Sequence, residues 1–145
     1  MTVVFRAGPA KYEVWKAFKS LPVISVAPVR RPKLDLAGQS YTFEQEKALQ
    51  LEKMRTVLRI AALHDHKDIC IGSFGTGPTF RNPMKEVAKM WKELLFHEEE
   101  FYGVFANVVF AIDTNLCSGR KNGISEYEVI RDEFDPRSIF RTVYR

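Results

Sequence analysis

Two cysteines in 145 residues are too few for a disulfide framework. Cys70 stands in an apolar run and Cys117 in a polar one, so a small cross-linked scaffold is excluded. No apolar run approaches the ~20 residues of a membrane-spanning helix. The opening "TVVFRAGP" lacks the apolar core and the small-residue cleavage site of a secretory leader. The chain is therefore expected to be soluble and intracellular, with no membrane partner. Internal repeats and low-complexity segments are missing too, which excludes solenoids and linker-like chains. Charge of one sign is also scarce. The net charge is +4, and only Arg30 to Lys33 and the group Arg131, Arg137, Arg141 and Arg145 cluster at all. Such an excess favours an anionic ligand weakly and does not choose which one.

Apolar residues make up 46% of the chain and aromatics 12%, the composition of one globular domain. A domain of this size buries roughly two thirds of its unfolded surface without staples. "VVF" (3–5) reads as a strand, and Tyr12, Val14, Trp15, Phe18 and Leu21 read as a short amphipathic helix that Pro22 helps to end. "VISVAPV" (23–29) has the β-branched density of a buried strand. Leu51, Met54, Leu58, Ala61 and Ala62 give a long helix over 43–64, and "DICIGSF" (68–74) a second buried strand. Asn82 and Pro83 are expected to cap and open the next helix, whose face is Met84, Val87, Ala88, Trp91, Leu94 and Leu95. "NVVFAI" (107–112) supplies a third core strand, and Ser125 with Glu128 a capping box for a helix through Phe134. Strands alternating with helices predict an α/β layer architecture with a mainly parallel sheet.

In such sheets, ligands bind beyond the carboxyl ends of the strands. The loop Gly72-Ser73-Phe74-Gly75-Thr76-Gly77 stands there, directly after a strand and before a helix. Glycine allows backbone N–H groups to converge, and the following helix adds its free amides and positive dipole end, which suits a phosphate. The nucleoside-triphosphate loop G-x-x-x-x-G-K-[ST] is absent. The dinucleotide fingerprint fails because Phe80 stands where its third glycine belongs. Composition alone leaves two readings of the loop, a phosphate cradle and a structural turn.

Other candidates carry less chemistry. His64, Asp65 and His66 stand at a helix end, where imidazoles favour the dipole and the free carbonyls, and no further ligand stands at metal-site spacing. "HEEE" (97–100) reads as a solvated helix end, and Cys117 has no base placed beside it. "RRPK" and Tyr41 are not interleaved as a nucleic-acid surface requires, so nucleic acid is not an expected partner.

"IGSFGTGPTFRNPMKEVAKMWKELL" followed by "FANVVFAI" resembles the carboxy-terminal half of the microbial-type poly(ADP-ribose) glycohydrolase domain, a branch of the macrodomains. Gly72, Phe74, Gly75, Gly77, Phe80, Asn82, Pro83, Val87 and Ala88 match that family's loop and helix start in order. "VVFR" (3–6), "PVISVAP" (22–28) and "RIAALHDHKD" also look like it, so the similarity covers about residues 3–112 and leaves a loop, helix and tail over 113–145. The resemblance implies a three-layer macrodomain-like fold whose loop wraps the diphosphate of ADP-ribose through Ser73 to Gly77. It further implies that Phe74 packs beside the distal ribose and that Phe80 helps to close the pocket. No metal and no cofactor are expected.

The sequence departs from the family in three places. The catalytic Gly-Gly-Gly segment with its following Gln-Glu-Glu is not found; Gln45-Glu46 begins the long helix, after the wrong strand. Val29 and Arg30, not asparagine, follow Pro28, and Thr76 replaces a cysteine in a loop one residue longer around Pro78-Thr79. A positioned carboxylate is what glycosidic chemistry needs. The expectation is therefore a truncated, single-domain binding module for ADP-ribose or a related nucleoside diphosphate, without efficient hydrolysis. One alternative is a glycohydrolase with a displaced acid such as Glu46, Glu44 or Asp35. Another is a non-catalytic interaction or regulatory protein in which the loop is a relic. Self-association, a partner chain or a rearranged amino-terminal segment is expected to complete the open sheet edge.

Overall fold

Whether an apolar stretch becomes a strand is decided by whether a neighbour takes up its backbone hydrogen bonds. The computed structural model describes residues 2–7, 13–112 and 125–139. Tyr12, Cys117, Arg141 and Arg145, on which some expectations fell, lie outside them. β1 (Thr2–Ala7) pairs antiparallel with β2 (Glu13–Leu21), and β3 (Asp68–Ile71) pairs parallel with β4 (Asn107–Phe110). The helices are α1 (Glu44–Leu63), α2 (Met84–Phe96), α3 (Glu126–Glu133) and the single turn α4 (Pro136–Ile139).

Two expectations near the amino terminus are corrected. The segment through Trp15 and Phe18 is strand β2, not a helix. A nine-residue helix is marginal by itself. Pairing with the β-branched run Thr2, Val3 and Val4 supplies the backbone bonds instead, in the register Thr2 to Leu21 and Val4 to Lys19. Residues 23–29 form no strand, because they enter no ladder with β3 or any other described strand. The N–H of Val29 donates instead to the side-chain oxygen of Gln50, at 2.8 Å.

The rest follows the periodicity. Met54, Leu58 and Ala61 of α1 are buried, as are Val87, Ala88, Met90, Trp91 and Leu94 of α2. Met54, Leu58, Val87, Met90, Trp91 and Leu94 form one core with Ile71 and Phe101, against which Ile69, Val108 and Phe110 pack. The connection from β3 to β4 runs through α2, as a parallel pair requires. The sheet face carrying these residues is covered by helices; the opposite face carries Cys70 and Val109, which are register partners and exposed. Among the described residues the helices thus cover one face of the parallel pair, and Cys70 and Val109 stand exposed on the other.

α1 ends where Asp65 turns into the left-handed region (φ 55°). The N–H groups of His66 and Asp65 then bond the carbonyls of Ala61 and Ala62, at 3.0 Å each. This Schellman closure accounts for the left-handed residue at position 65, a conformation that Asp tolerates. Among the described residues no group of three or more metal-ligating side chains gathers, and no helix is long and apolar enough to cross a membrane. α3 carries the expected capping box, with Ser125 and Glu128 bonded reciprocally. Phe134 at its end meets the ring of Phe110 at 4.8 Å and that of Phe96 at 6.1 Å, which ties α3 to the parallel pair.

Candidate functional site

The chain leaves β3 at Ile71 and reaches α2 at Met84 through the glycine loop. Gly75 is the conformational key, with φ +83°. A Cβ there would stand 2.7 Å from both the Asn82 side-chain nitrogen and the Pro28 Cβ, so no other residue fits without displacing its neighbours. Gly72 and Gly77 differ. Neither has positive φ, and a Cβ on either would meet nothing within 4 Å.

Asn82 explains the crowding at Gly75. It is only 4% exposed, and its amide donates to the carbonyls of Val29 (2.8 Å) and Gly75 (3.0 Å). Its own carbonyl oxygen accepts the Tyr41 hydroxyl at 2.9 Å, and its backbone N–H bonds the Gly75 carbonyl at 2.9 Å. The expected capping role is therefore corrected: the residue before α2 is Pro83, and no side chain caps the helix. The asparagine side chain is used inward, to tie the loop to the extended segment before Arg30. Burial, then the charges of Glu86 and Glu46, push the Tyr41 hydroxyl well above its usual range, so it stays a proton donor to Asn82. Gln50 completes the arrangement by holding Val29, while its own Nε2 is buried without a partner among the described residues.

Held in this way, the loop leaves some of its amides unbonded and turns two hydroxyls to α3. The amides of Ser73, Phe74 and Thr76 meet no acceptor in hydrogen-bond geometry among the described residues. The Ser73 hydroxyl donates to one carboxylate oxygen of Glu126 (2.9 Å) and the Thr76 hydroxyl to the other (2.6 Å). Clefts flank the loop on two sides. One, of about 680 Å³, is lined by Thr76, Gly77, Asn82, Arg81 and Lys85 together with the 34–39 turn; two cations and no carboxylate stand among its lining residues. The other, of about 550 Å³, is more apolar and is lined by Gly72, Phe74, Trp91, Val57 and the 21–26 segment.

The sequence-predicted residues thus separate. Gly72, Ser73, Thr76 and Gly77 lie at the surface of the loop, while Gly75 and Asn82 are buried supports. Phe74 packs edge-on against Trp91 (5.7 Å) and reaches one cleft with part of its ring. Phe80 is half-buried and lines neither cleft; its carbonyl accepts the N–H of Arg31 at 2.6 Å. Two of the three carboxylates weighed as displaced acids serve the neighbouring turn: Glu46 accepts the Lys33 N–H (2.9 Å), and Asp35 those of Gln39 (2.7 Å) and Ser40 (3.3 Å). Arg81, Lys85 and Glu126 were not legible as site residues. Arg81 and Lys85 stand four apart across the helix start, a spacing visible in the sequence, but Glu126 is brought in from fifty residues away.

No protein-family model and no curated protein matches the sequence. Solved structures do. A poly(ADP-ribose) glycohydrolase of Deinococcus radiodurans, solved as a mutant in complex with ADP-ribose, superposes with a TM-score of 0.51 at 28% identity, over 63% of this chain and 34% of that one. A mutant poly(ADP-ribose) glycohydrolase of Thermomonospora curvata superposes with a TM-score of 0.54 at 30% identity, over 64% of this chain and 33% of that one. Over that stretch the chain has a poly(ADP-ribose) glycohydrolase-like, macrodomain-like fold, and it spans about a third of the length of each structure.

Proposed function

We propose that the chain binds ADP-ribose or a related nucleoside diphosphate, with the diphosphate against Ser73 to Gly77. The observation that carries this reading is the state of Gly72 and Gly77. Glycine costs roughly 0.5–1 kcal/mol of backbone entropy relative to alanine. At Gly75 the fold itself requires it; at Gly72 and Gly77 neither φ nor any neighbouring atom does. Space kept clear beside the unbonded amides of Ser73, Phe74 and Thr76 is what a phosphoryl group needs. Arg81 and Lys85, in the adjoining cleft, supply positive charge for it. The Deinococcus neighbour, solved with ADP-ribose, supports the choice of nucleotide.

Hydrolysis is not part of the proposal. Glu46 and Asp35 hold backbone N–H groups of the 33–40 turn, which is a structural use of a carboxylate.

Gly77→Val and Gly72→Ala test the reading, because both side chains enter open space and leave the core untouched. Both variants should melt within about 2 °C of the natural chain, since surface changes stay within about 0.5 kcal/mol. Their affinity for ADP-ribose should fall about tenfold or more, the cost of a phosphate losing close approach to backbone. Unchanged affinity in Gly77→Val would remove the diphosphate from this loop.

A further inference from the structure

We propose that α3 is an intramolecular competitor for the loop, with the Glu126 carboxylate occupying the position of a ligand phosphoryl group until the ligand displaces it. The inference rests on the diphosphate reading and adds its regulation.

Both carboxylate oxygens of Glu126 are engaged, one by the Ser73 hydroxyl and one by the Thr76 hydroxyl. A phosphoryl group held by the same loop would present two oxygens to the same donors, so the two anions exclude one another. Among the described residues no Lys, Arg or His stands at ion-pair distance from Glu126, so its charge is met by the two loop hydroxyls and by the positive end of α3, in whose first turn it stands.

The way α3 is held suits release at one end. Its carboxyl end is anchored by Phe134 against Phe110 and Phe96 and by the Lys92–Glu133 ion pair at 3.1 Å. Its amino end touches the loop through Glu126, with Val129 the one buried residue of the helix. The capping box of Ser125 and Glu128 belongs to the helix itself, but once Glu126 leaves the loop α3 is held at its aromatic end alone, and its amides open more often. The apparent affinity for a diphosphate is then reduced by the fraction of molecules in which Glu126 is seated.

The test is a calorimetric titration of the full chain and its Glu126→Gln variant with ADP-ribose and with inorganic pyrophosphate. It is paired with hydrogen exchange of the 129–134 amides with and without ADP-ribose. Glutamine keeps the size of the side chain and removes the charge. The variant should bind both probes about tenfold more tightly, the gain expected when a largely occupied closed state is emptied. In the natural chain, saturation with ADP-ribose should speed exchange over 129–134. Equal or weaker binding by Glu126→Gln, beside measurable binding by the natural chain, overturns the competitor while leaving the diphosphate site standing. Exchange that is unchanged or slower on saturation overturns it too, independently of the variant. Binding by neither protein at millimolar ligand, with both shown folded, overturns the diphosphate site itself and the competitor with it.

Discussion

A methyl group at position 75 would stand 2.7 Å from Pro28 Cβ, and the same backbone must hold φ at +83°. Gly75→Ala should therefore destabilise the fold by about 2–4 kcal/mol, from overpacking together with left-handed strain, and lower the melting temperature by roughly 5–15 °C. Gly77→Ala should leave it unchanged. Asn82 offers a second test at this scale. Were it a helix cap, Asn82→Ala would cost about 1 kcal/mol. Because its loss strands the Tyr41 hydroxyl and deprives the carbonyls of Val29 and Gly75 of a donor in the interior, about 3 kcal/mol or more is expected from chemical denaturation. The glycines themselves were visible in the sequence, and so was their place between strand and helix. Which of the three serves the fold was not, because that depends on Pro28 and Asn82, forty-seven positions before Gly75 and seven after it.

At the scale of elements, periodicity identified α1, α2 and the parallel pair, since each buries a stripe or run that local spacing reveals. It failed for residues 13–21 and 23–29, where the outcome turns on a pairing partner rather than on the segment's own residues. α3 was legible through its capping box, and that box makes a pH prediction. Hydrogen bonds from the Ser125 backbone, then from its side chain, lower the Glu128 carboxyl below its ordinary value of 4.5. A carboxyl depressed in the folded state adds stability above its unfolded pKa, and loses it as pH falls through the folded one. Protection of the α3 amides, relative to their intrinsic exchange at each pH, should therefore fall as pH drops below the ordinary carboxyl value of 4.5, and Glu128→Gln should flatten that dependence. A steeper dependence in the variant would contradict the capping box.

At the scale of the whole molecule, the chain has a poly(ADP-ribose) glycohydrolase-like fold over about a third of the length of the solved structures it superposes on. The exposed register pair Cys70 and Val109 lies on a sheet face that the described helices leave bare. The loop stays ordered nonetheless, because Asn82, Gln50 and Tyr41 tie it to the 28–30 segment and Trp91 backs it through Phe74. Trp91→Ala removes that backing as well as a core side chain only 1% exposed. It should cost about 3–5 kcal/mol and blunt ligand binding along with stability. No local pattern in the sequence announces Glu126 as the loop's partner, because only the folded chain brings α3 to it.

The central claim is tested most directly by calorimetric titration of the natural chain and its Glu126→Gln variant with ADP-ribose, ADP and AMP. A saturable heat with ADP-ribose and ADP, and at least about tenfold weaker binding of AMP, is the predicted result, since a second phosphoryl group adds charge-assisted hydrogen bonds to the loop. Folded protein that gives no heat with ADP-ribose in either form, or that binds AMP equally well, would contradict it and leave Gly72 to Gly77 as a turn.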